Sequence, residues 1–170
     1  MRLFFALWPP DAARAKLARV GEGLAREAQG RPIPAAKLHV TLAFLGEVTA
    51  DRLEAAREAA ARSPGAGFRI AIDRIGSFRD AHIAWAGCSE TPTALIDLQA
   101  RLAAELRAAA FGLEERRFTA HVTLVRRAAR PVPPAAVPAI TWTARDFALV
   151  RSDTGRGTYT VMEEWRLGSR

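Results

Sequence analysis

The chain contains one tetrapeptide twice, and this repeat constrains the fold more than any other feature. The run His39-Val40-Thr41-Leu42 returns, residue for residue, as His121-Val122-Thr123-Leu124, almost half a chain length later. The chain has only three histidines, and two of them open these copies. Because side chains on a strand alternate between faces, each histidine shares a face with the threonine two residues on. The repeat therefore predicts two similar strands that the rest of the chain brings face to face.

Length and composition bound the remaining possibilities. A chain of 170 residues that is 49% hydrophobic and 25% charged is typical of one compact domain with a sizeable core. The single cysteine, Cys88, excludes an internal disulfide and a cysteine metal cage. No apolar stretch approaches the roughly 20 residues of a membrane span, and the N-terminal apolar run lacks a signal-peptide cleavage site. We therefore expect a cytoplasmic protein.

The formal net charge of +7 comes almost entirely from arginine, since Lys16 and Lys37 are the only lysines. A basic surface suits a polyanionic partner such as nucleic acid. A general bias toward alanine and arginine in the composition explains the same charge. Charge alone therefore permits a nucleic-acid substrate without favouring it.

Apolar periodicity gives the order of the elements. Helical spacing predicts helices over residues 11–28, from about 50 to 62, and from about 93 to 110. Strands are predicted over residues 2–8, 38–45, 68–75, 82–88, 121–126, 141–151 and 159–167. The proline-rich stretch 131–138 is predicted to be a loop, and residues 152–157 the tip of a hairpin. In strand 38–45 we expect Leu38, Val40, Leu42 and Phe44 to form an apolar face against a helix. The order predicts an α+β fold with a mostly antiparallel sheet covered by helices.

Two histidines on facing strands suit acid–base cleavage of a phosphodiester. Histidine has an unperturbed pKa of about 6.5, so one ring can be neutral while its partner is charged. The neutral ring takes a proton from the attacking oxygen, and the charged ring gives one to the leaving oxygen. Threonines on the same faces can donate hydrogen bonds to phosphate oxygens, and a nearby arginine can bind them. This scheme requires no metal and no other cofactor.

Two other interpretations of the histidines stay open at this point. A single histidine at the start of a strand is more often a structural residue, and for this reason we set His82 aside. Two identical copies in one chain are much harder to obtain by chance. A zinc site is a weaker alternative, because no His-x-x-x-His or cysteine spacing supplies further ligands.

The flanks of the motifs carry a family resemblance. Residues 38–46 join the first copy to Phe-Leu-Gly, residues 121–126 join the second to an arginine, and residues 4–9 form an aromatic opening strand. Together they resemble the two-histidine phosphoesterase superfamily. The closer similarity is to its bacterial and archaeal branch, the RNA 2′,3′-cyclic phosphodiesterases, also called 2′-5′ RNA ligases. The resemblance covers essentially the whole chain.

This resemblance implies a bilobal fold in which two mostly antiparallel sheets line a central cleft, with helices outside. Residues 1–170 would form a single catalytic domain that opens terminal 2′,3′-cyclic phosphates on RNA to leave a 2′-phosphate, and some members also join RNA ends through 2′-5′ bonds. His39 would donate a proton to the departing 3′ oxygen, and His121 would activate water. Thr41 and Thr123 would hold the phosphate. The enzyme would act on RNA ends or nucleotides. We expect a monomer by default, since the sequence signals no partner interface. The residues alone leave acid and base unassigned, because the motifs are identical.

Arg126 is the arginine that the resemblance places on the phosphate, yet its spacing is awkward. It stands an odd number of residues after His121, so a regular strand directs it to the opposite face. Either the strand ends or bulges before Arg126, or the side chain reaches the cleft from its rim. Arg151 and Arg156 in the predicted hairpin are further phosphate candidates, or solvated loop residues.

Three functions therefore compete. The first is a metal-independent RNA 2′,3′-cyclic phosphodiesterase, and the second is a non-catalytic module that binds RNA ends or nucleotides. Two intact His-Thr pairs count against the second, because binding alone does not demand two titrating groups. The third is a related enzyme acting on another cyclic phosphate, such as an ADP-ribose cyclic phosphate, which no residue excludes.

Overall fold

A computed structural model describes residues 1–168. The helices are α1 (Asp11–Ala28), α2 (Leu53–Ala61) and α3 (Thr93–Ala108). The strands are β1 (Arg2–Leu7), β2 (Arg31–Pro32), β3 (Val40–Glu47), β4 (Phe68–Phe78), β5 (Ile83–Gly87), β6 (His121–Arg126), β7 (Ala135–Ala144), β8 (Asp146–Asp153) and β9 (Thr158–Arg166). The predicted α+β class is confirmed, and α1 coincides with the predicted first helix.

The strands form an antiparallel sheet in the order β7-β4-β5-β6-β3-β1-β8-β9, with β2 paired to β6. Two halves of four strands meet at its centre, and each half contributes one copy of the repeated motif, on β6 and β3. The only ladder pair between β3 and β6 in the described chain is Val40 with Val122. The two lobes expected from the resemblance are therefore joined through one narrow seam.

The helices cover one side of the sheet and leave the opposite side, hereafter the cleft face, open. Helix α1 packs on β6, β5 and β7, α3 packs on β3, and α2 packs on α3. Gly21 allows α1 to approach β6 closely, because a Cβ there would lie 3.3 Å from the carbonyl oxygen of Leu124. Leu17, Leu98 and Val122 are fully buried between these layers. None of the helices within residues 1–168 has the length and apolar character needed to cross a membrane.

The prediction for the stretch between residues 131 and 151 was partly wrong. Residues 135–138 belong to β7 rather than to a loop, and residues 141–151 are divided between β7 and β8, which Arg145 separates. The prolines misled the prediction because they cannot donate to a ladder. Strand β7 tolerates Pro138 since it is an edge strand, and its pairing with β4 is irregular between Ile140 and Ala136.

Both motif strands contain a β-bulge at the same motif position. On β3, Ala43 pairs with Phe5 and Thr41 pairs with Ala6, which leaves Leu42 without a partner on β1. On β6, the pairing with β5 skips Leu124 in the same way. A bulge inserts one residue, so the alternation of faces reverses beyond it.

The reversal corrects the predicted apolar face of the first motif strand. Leu38, Val40 and Leu42 are buried as expected. Phe44 does not join them: its side chain is 42% exposed, while Ala43 is buried. The Leu42 bulge turns Phe44 to the cleft face, where the guanidinium of Arg2 lies 5.0 Å from its ring centre.

Candidate active site

The seam between β3 and β6 brings the two tetrapeptides side by side. Because the strands are antiparallel and Val40 opposes Val122, the register sets His39 beside Thr123 and Thr41 beside His121. The two valines are fully buried against the helices, whereas the four polar side chains are partly exposed on the cleft face. The motifs are thus related by a local two-fold axis through the valine pair. On one face of such a pair, diagonal neighbours like the two histidines have Cα atoms roughly 7–8 Å apart.

The two imidazoles are oriented in the same way. His39 Nδ1 donates to the carbonyl of Lys37 at 2.6 Å, and His121 Nδ1 donates to the carbonyl of Thr119 at 2.8 Å. A carbonyl can only accept, so these bonds hold a proton on Nδ1 and leave Nε2 as the titrating nitrogen. His39 Nε2 lies 3.1 Å from Thr41 Oγ1, which can donate to it when the ring is neutral. Both rings can therefore exchange a proton through Nε2.

Three aromatic side chains enclose the ring of His39. Trp8 stacks on it with ring centres 5.3 Å apart and planes 7° apart, and Phe4 lies at 4.8 Å. Tyr159 from β9 meets it edge-on at 5.5 Å. This burial lowers the pKa of His39 to about 4, against the opposing effect of the Lys37 hydrogen bond. The positive charges of Arg126 and His121 lower that pKa further, so His39 is neutral at pH 7 in the free protein.

His121 lies in a more open environment. Phe78 meets its ring edge-on at 5.0 Å, and its strand partner on β5 is Gly87, which has no side chain to cover it. Burial lowers the pKa of His121, the hydrogen bond to Thr119 raises it, and the charge of Arg116 lowers it. The aromatic surroundings thus break the two-fold symmetry of the motifs, and the two histidines are chemically distinct.

The bulge at Leu124 settles the position of Arg126. Leu124 and Val125 are both buried, and Arg126 pairs with Ile83 on the same face of β5 as Trp85, the partner of Thr123. Of the three arrangements that the sequence left open, the strand bulges, so the exposed Arg126 lies on the cleft face.

A second arginine stands beside Arg126. Arg31 on the short strand β2 is its register partner, and both side chains are exposed. Like charges directly opposite each other in a ladder are destabilising. Two such guanidinium groups next to paired threonines and imidazoles form a site suited to a bound anion.

Several of these residues could not be identified from the sequence. No motif in the sequence marks Arg31, Phe78 or Tyr159. The aromatic run that opens the chain does include Phe4 and Trp8, but it gave no sign that they would contact His39. Arg151 and Arg156 do not join the histidines. They line an open cavity of about 410 Å³ with Glu47 and Asp153, and Arg156 pairs with Asp153 at 3.8 Å.

Over residues 1–168, no group of three or more His, Cys, Asp or Glu side chains is arranged to hold a metal ion. Cys88 is free, and burial raises its pKa to about 11, so it is a protonated thiol at neutral pH.

Known proteins are similar to this chain over nearly its whole length. Residues 8–156 match the family described as the 2′-5′ RNA ligase superfamily. The chain is 33% identical over 172 residues to the RNA 2′,3′-cyclic phosphodiesterase of Escherichia coli, covering 98% of this chain and 96% of that protein. It is 33% identical over 191 residues to the RNA 2′,3′-cyclic phosphodiesterase of Thermus thermophilus, covering 98% and 90%.

Solved structures share the fold. E. coli LigT complexed with 3′-AMP aligns with a TM-score of 0.90 at 31% identity, over 98% of this chain and 97% of that chain. TT0787 of T. thermophilus aligns with a TM-score of 0.83 at 29% identity, over 98% of each chain. The resemblance suggested by the two tetrapeptides and their flanks is confirmed.

Proposed function

Because the chain belongs to the 2′-5′ RNA ligase superfamily, we propose that it is a metal-independent RNA 2′,3′-cyclic phosphodiesterase that uses His39 and His121 as its acid and base. The observation that carries this proposal is the pair of imidazoles on one face, each with Nδ1 fixed by a backbone carbonyl and Nε2 free to titrate. Residues 1–170 act as one catalytic domain, since each half of the sheet supplies one motif.

In the proposed reaction, water attacks the phosphorus of the cyclic phosphate and the bond to the 3′ oxygen breaks. His121 Nε2 accepts the proton of the attacking water, and His39 Nε2 gives its proton to the departing 3′ oxygen. The product carries a 2′-phosphate and a free 3′ hydroxyl. The same displacement, with the 5′ hydroxyl of a second RNA in place of water and the 3′ oxygen again departing, forms a 2′-5′ bond; its reversal cleaves that bond.

His39 must acquire a proton before it can act as the acid. In the free protein its burial and the nearby charge of Arg126 oppose protonation. A phosphodiester anion next to Arg126 offsets that positive charge and offers an acceptor to the protonated ring, so substrate binding raises the pKa of His39. Binding of the substrate thereby favours the protonated form of His39, which is the form that acts as the general acid.

The remaining polar groups hold the phosphate. Thr41 and Thr123 donate hydroxyl hydrogen bonds to its oxygens, and Arg126 binds the charge that grows on them in the transition state. Arg31, the register partner of Arg126, extends the same cationic surface. The substrates are RNA ends or nucleotides with a 2′,3′-cyclic phosphate.

All of these side chains come from one chain, which supports action as a monomer. An RNA substrate is compatible with action in the cytoplasm, which we propose as its compartment. Gel filtration at assay concentration tests the first point, because a dimer would elute at twice the mass of 18.5 kDa.

The test is an assay of purified protein with EDTA against nucleoside 2′,3′-cyclic monophosphates and an oligonucleotide with a cyclic end. We expect 2′-phosphate products, and loss of turnover in His39→Ala and in His121→Ala. A folded variant of either histidine with full turnover would make that residue structural. Including an ADP-ribose cyclic phosphate in the panel decides whether the enzyme prefers RNA.

A further inference from the structure

A second cavity, of about 270 Å³, lies at the Arg126 end of the cleft. The β4–β5 turn forms one wall, and the segment that follows β6, residues 128–131, forms the other. Its lining includes His82, the one histidine that the proposed chemistry does not use. We refer to it as the turn cavity.

The turn cavity shares two residues with the candidate active site. Phe78 lines it and also meets the ring of His121 edge-on at 5.0 Å. Ile83 lines it and is the strand partner of Arg126. Between Gly87, the partner of His121, and Ile83, strand β5 advances about 13 Å. The cavity therefore continues the cleft from Phe78, beside His121, to Ile83, beside Arg126.

The lining of the turn cavity matches the chemistry of a nucleotide. Phe78, Ile83 and Pro131 supply apolar surface, and one of them is an aromatic ring on which a base can stack. Arg79 and Arg130 add positive charge at the same cavity. No carboxylate of residues 1–168 contributes to this lining. The surface is thus complementary to a flat apolar group attached to phosphate.

Hydrogen bonds hold the two walls together. Ala128 N donates to the His82 carbonyl at 3.0 Å, and the Ala128 carbonyl lies 3.2 Å from His82 Nδ1. Val132 N donates to Ser77 Oγ at 2.7 Å. His82 adopts a left-handed conformation, with φ of 52°, that turns the chain toward these partners. The third histidine therefore has a structural role, and the cavity is preformed.

We propose that the turn cavity binds the nucleobase of the RNA nucleotide that precedes the one bearing the cyclic phosphate. The inference rests on the proposed function, since it takes the reacting phosphate to lie between His39 and His121. A substrate of two nucleotides then gains a contact that a single nucleotide lacks. Selectivity for RNA ends over free cyclic nucleotides originates in this cavity.

The experiment compares a cyclic-phosphate-ended dinucleotide with the matching nucleoside 2′,3′-cyclic monophosphate. Ala129→Phe fills the cavity from its wall, and Arg130→Ala removes one of its charges. Ala15→Phe and Arg19→Ala are matched controls on exposed positions of α1. In Ala129→Phe we expect the ratio of kcat/KM for dinucleotide over mononucleotide to fall about 5- to 160-fold, the usual value of one stacked base, and in Arg130→Ala we expect the ratio to fall as well. The controls keep the native ratio.

Two results overturn the inference. One is an unchanged ratio in Ala129→Phe, and the other is an equal loss on both substrates, which would place the reacting nucleotide's own base in the cavity. Calorimetric binding of a dinucleotide with a 2′-phosphate end provides a readout that is independent of turnover. If the native protein hydrolyses neither substrate, the proposed function fails, while weaker binding to Ala129→Phe than to Ala15→Phe still supports the cavity.

Discussion

The low pKa of His39 makes the stability of the protein depend on pH. The neutral ring is favoured in the folded state, so the unfolded chain binds a proton at about pH 6.5 and the folded chain only at about pH 4. The stability that this histidine contributes is fully present above pH 6.5 and is lost as the pH falls toward 4. Between pH 7.5 and pH 5 the linkage relation gives a loss of about 2 kcal/mol in the free energy of unfolding.

Urea unfolding at the two pH values measures this loss, with His39→Phe as the comparison. Phenylalanine keeps an aromatic ring among Phe4, Trp8 and Tyr159 but cannot titrate. The native protein should therefore lose about 2 kcal/mol more than the variant on acidification. In NMR, at pH 5.5, about 3% of His39 should be protonated, against roughly 90% for an ordinary histidine. Equal acid sensitivity of both proteins, or a His39 titration near pH 6.5, would refute the reasoning.

Three further predictions concern the reaction. His39→Ala and His121→Ala should each lower turnover roughly 10²–10⁴-fold, the usual value of one general acid or base, and the double variant should lose much less than the product. Steady-state rates at saturating substrate measure this, and a fully multiplicative loss would mean that the rings act independently. The pH–rate profile should be bell-shaped, since one ring must be charged while the other is neutral. A rate that rises with pH to a plateau would show that the reaction needs no protonated histidine as its acid. Activity should survive EDTA, and restoration of a chelated enzyme by zinc or manganese would contradict the scheme.

The repeated tetrapeptide predicted which side chains share a face of each motif strand, but not how those strands pair with their neighbours. Strand parity placed each histidine beside its threonine, because that relation involves residues of a single strand. The bulges at Leu42 and Leu124 depend on the registers of β1 and β5, so strand parity alone misplaced Phe44 and left Arg126 unresolved.

Contacts between distant parts of the chain escaped prediction for the same reason. Tyr159 contacts His39 only because β9 folds into the same half of the sheet as β3. Arg31 lies opposite Arg126 only because β2 pairs with β6. Strand β7 was divided wrongly because its prolines are typical of loops, and only its edge position makes Pro138 acceptable.

The valine pair at the centre of the sheet is the narrowest connection between its two halves. In the proposed reaction, a phosphate bound by both motifs would bridge the two halves of the sheet across Val40 and Val122, the one ladder pair between β3 and β6 in the described chain. Reciprocity then requires that any change in the angle between the lobes alters phosphate affinity, and that bound phosphate stiffens this connection by the same free energy. On the proposed function, product release is therefore coupled to any opening of the lobes at this pair.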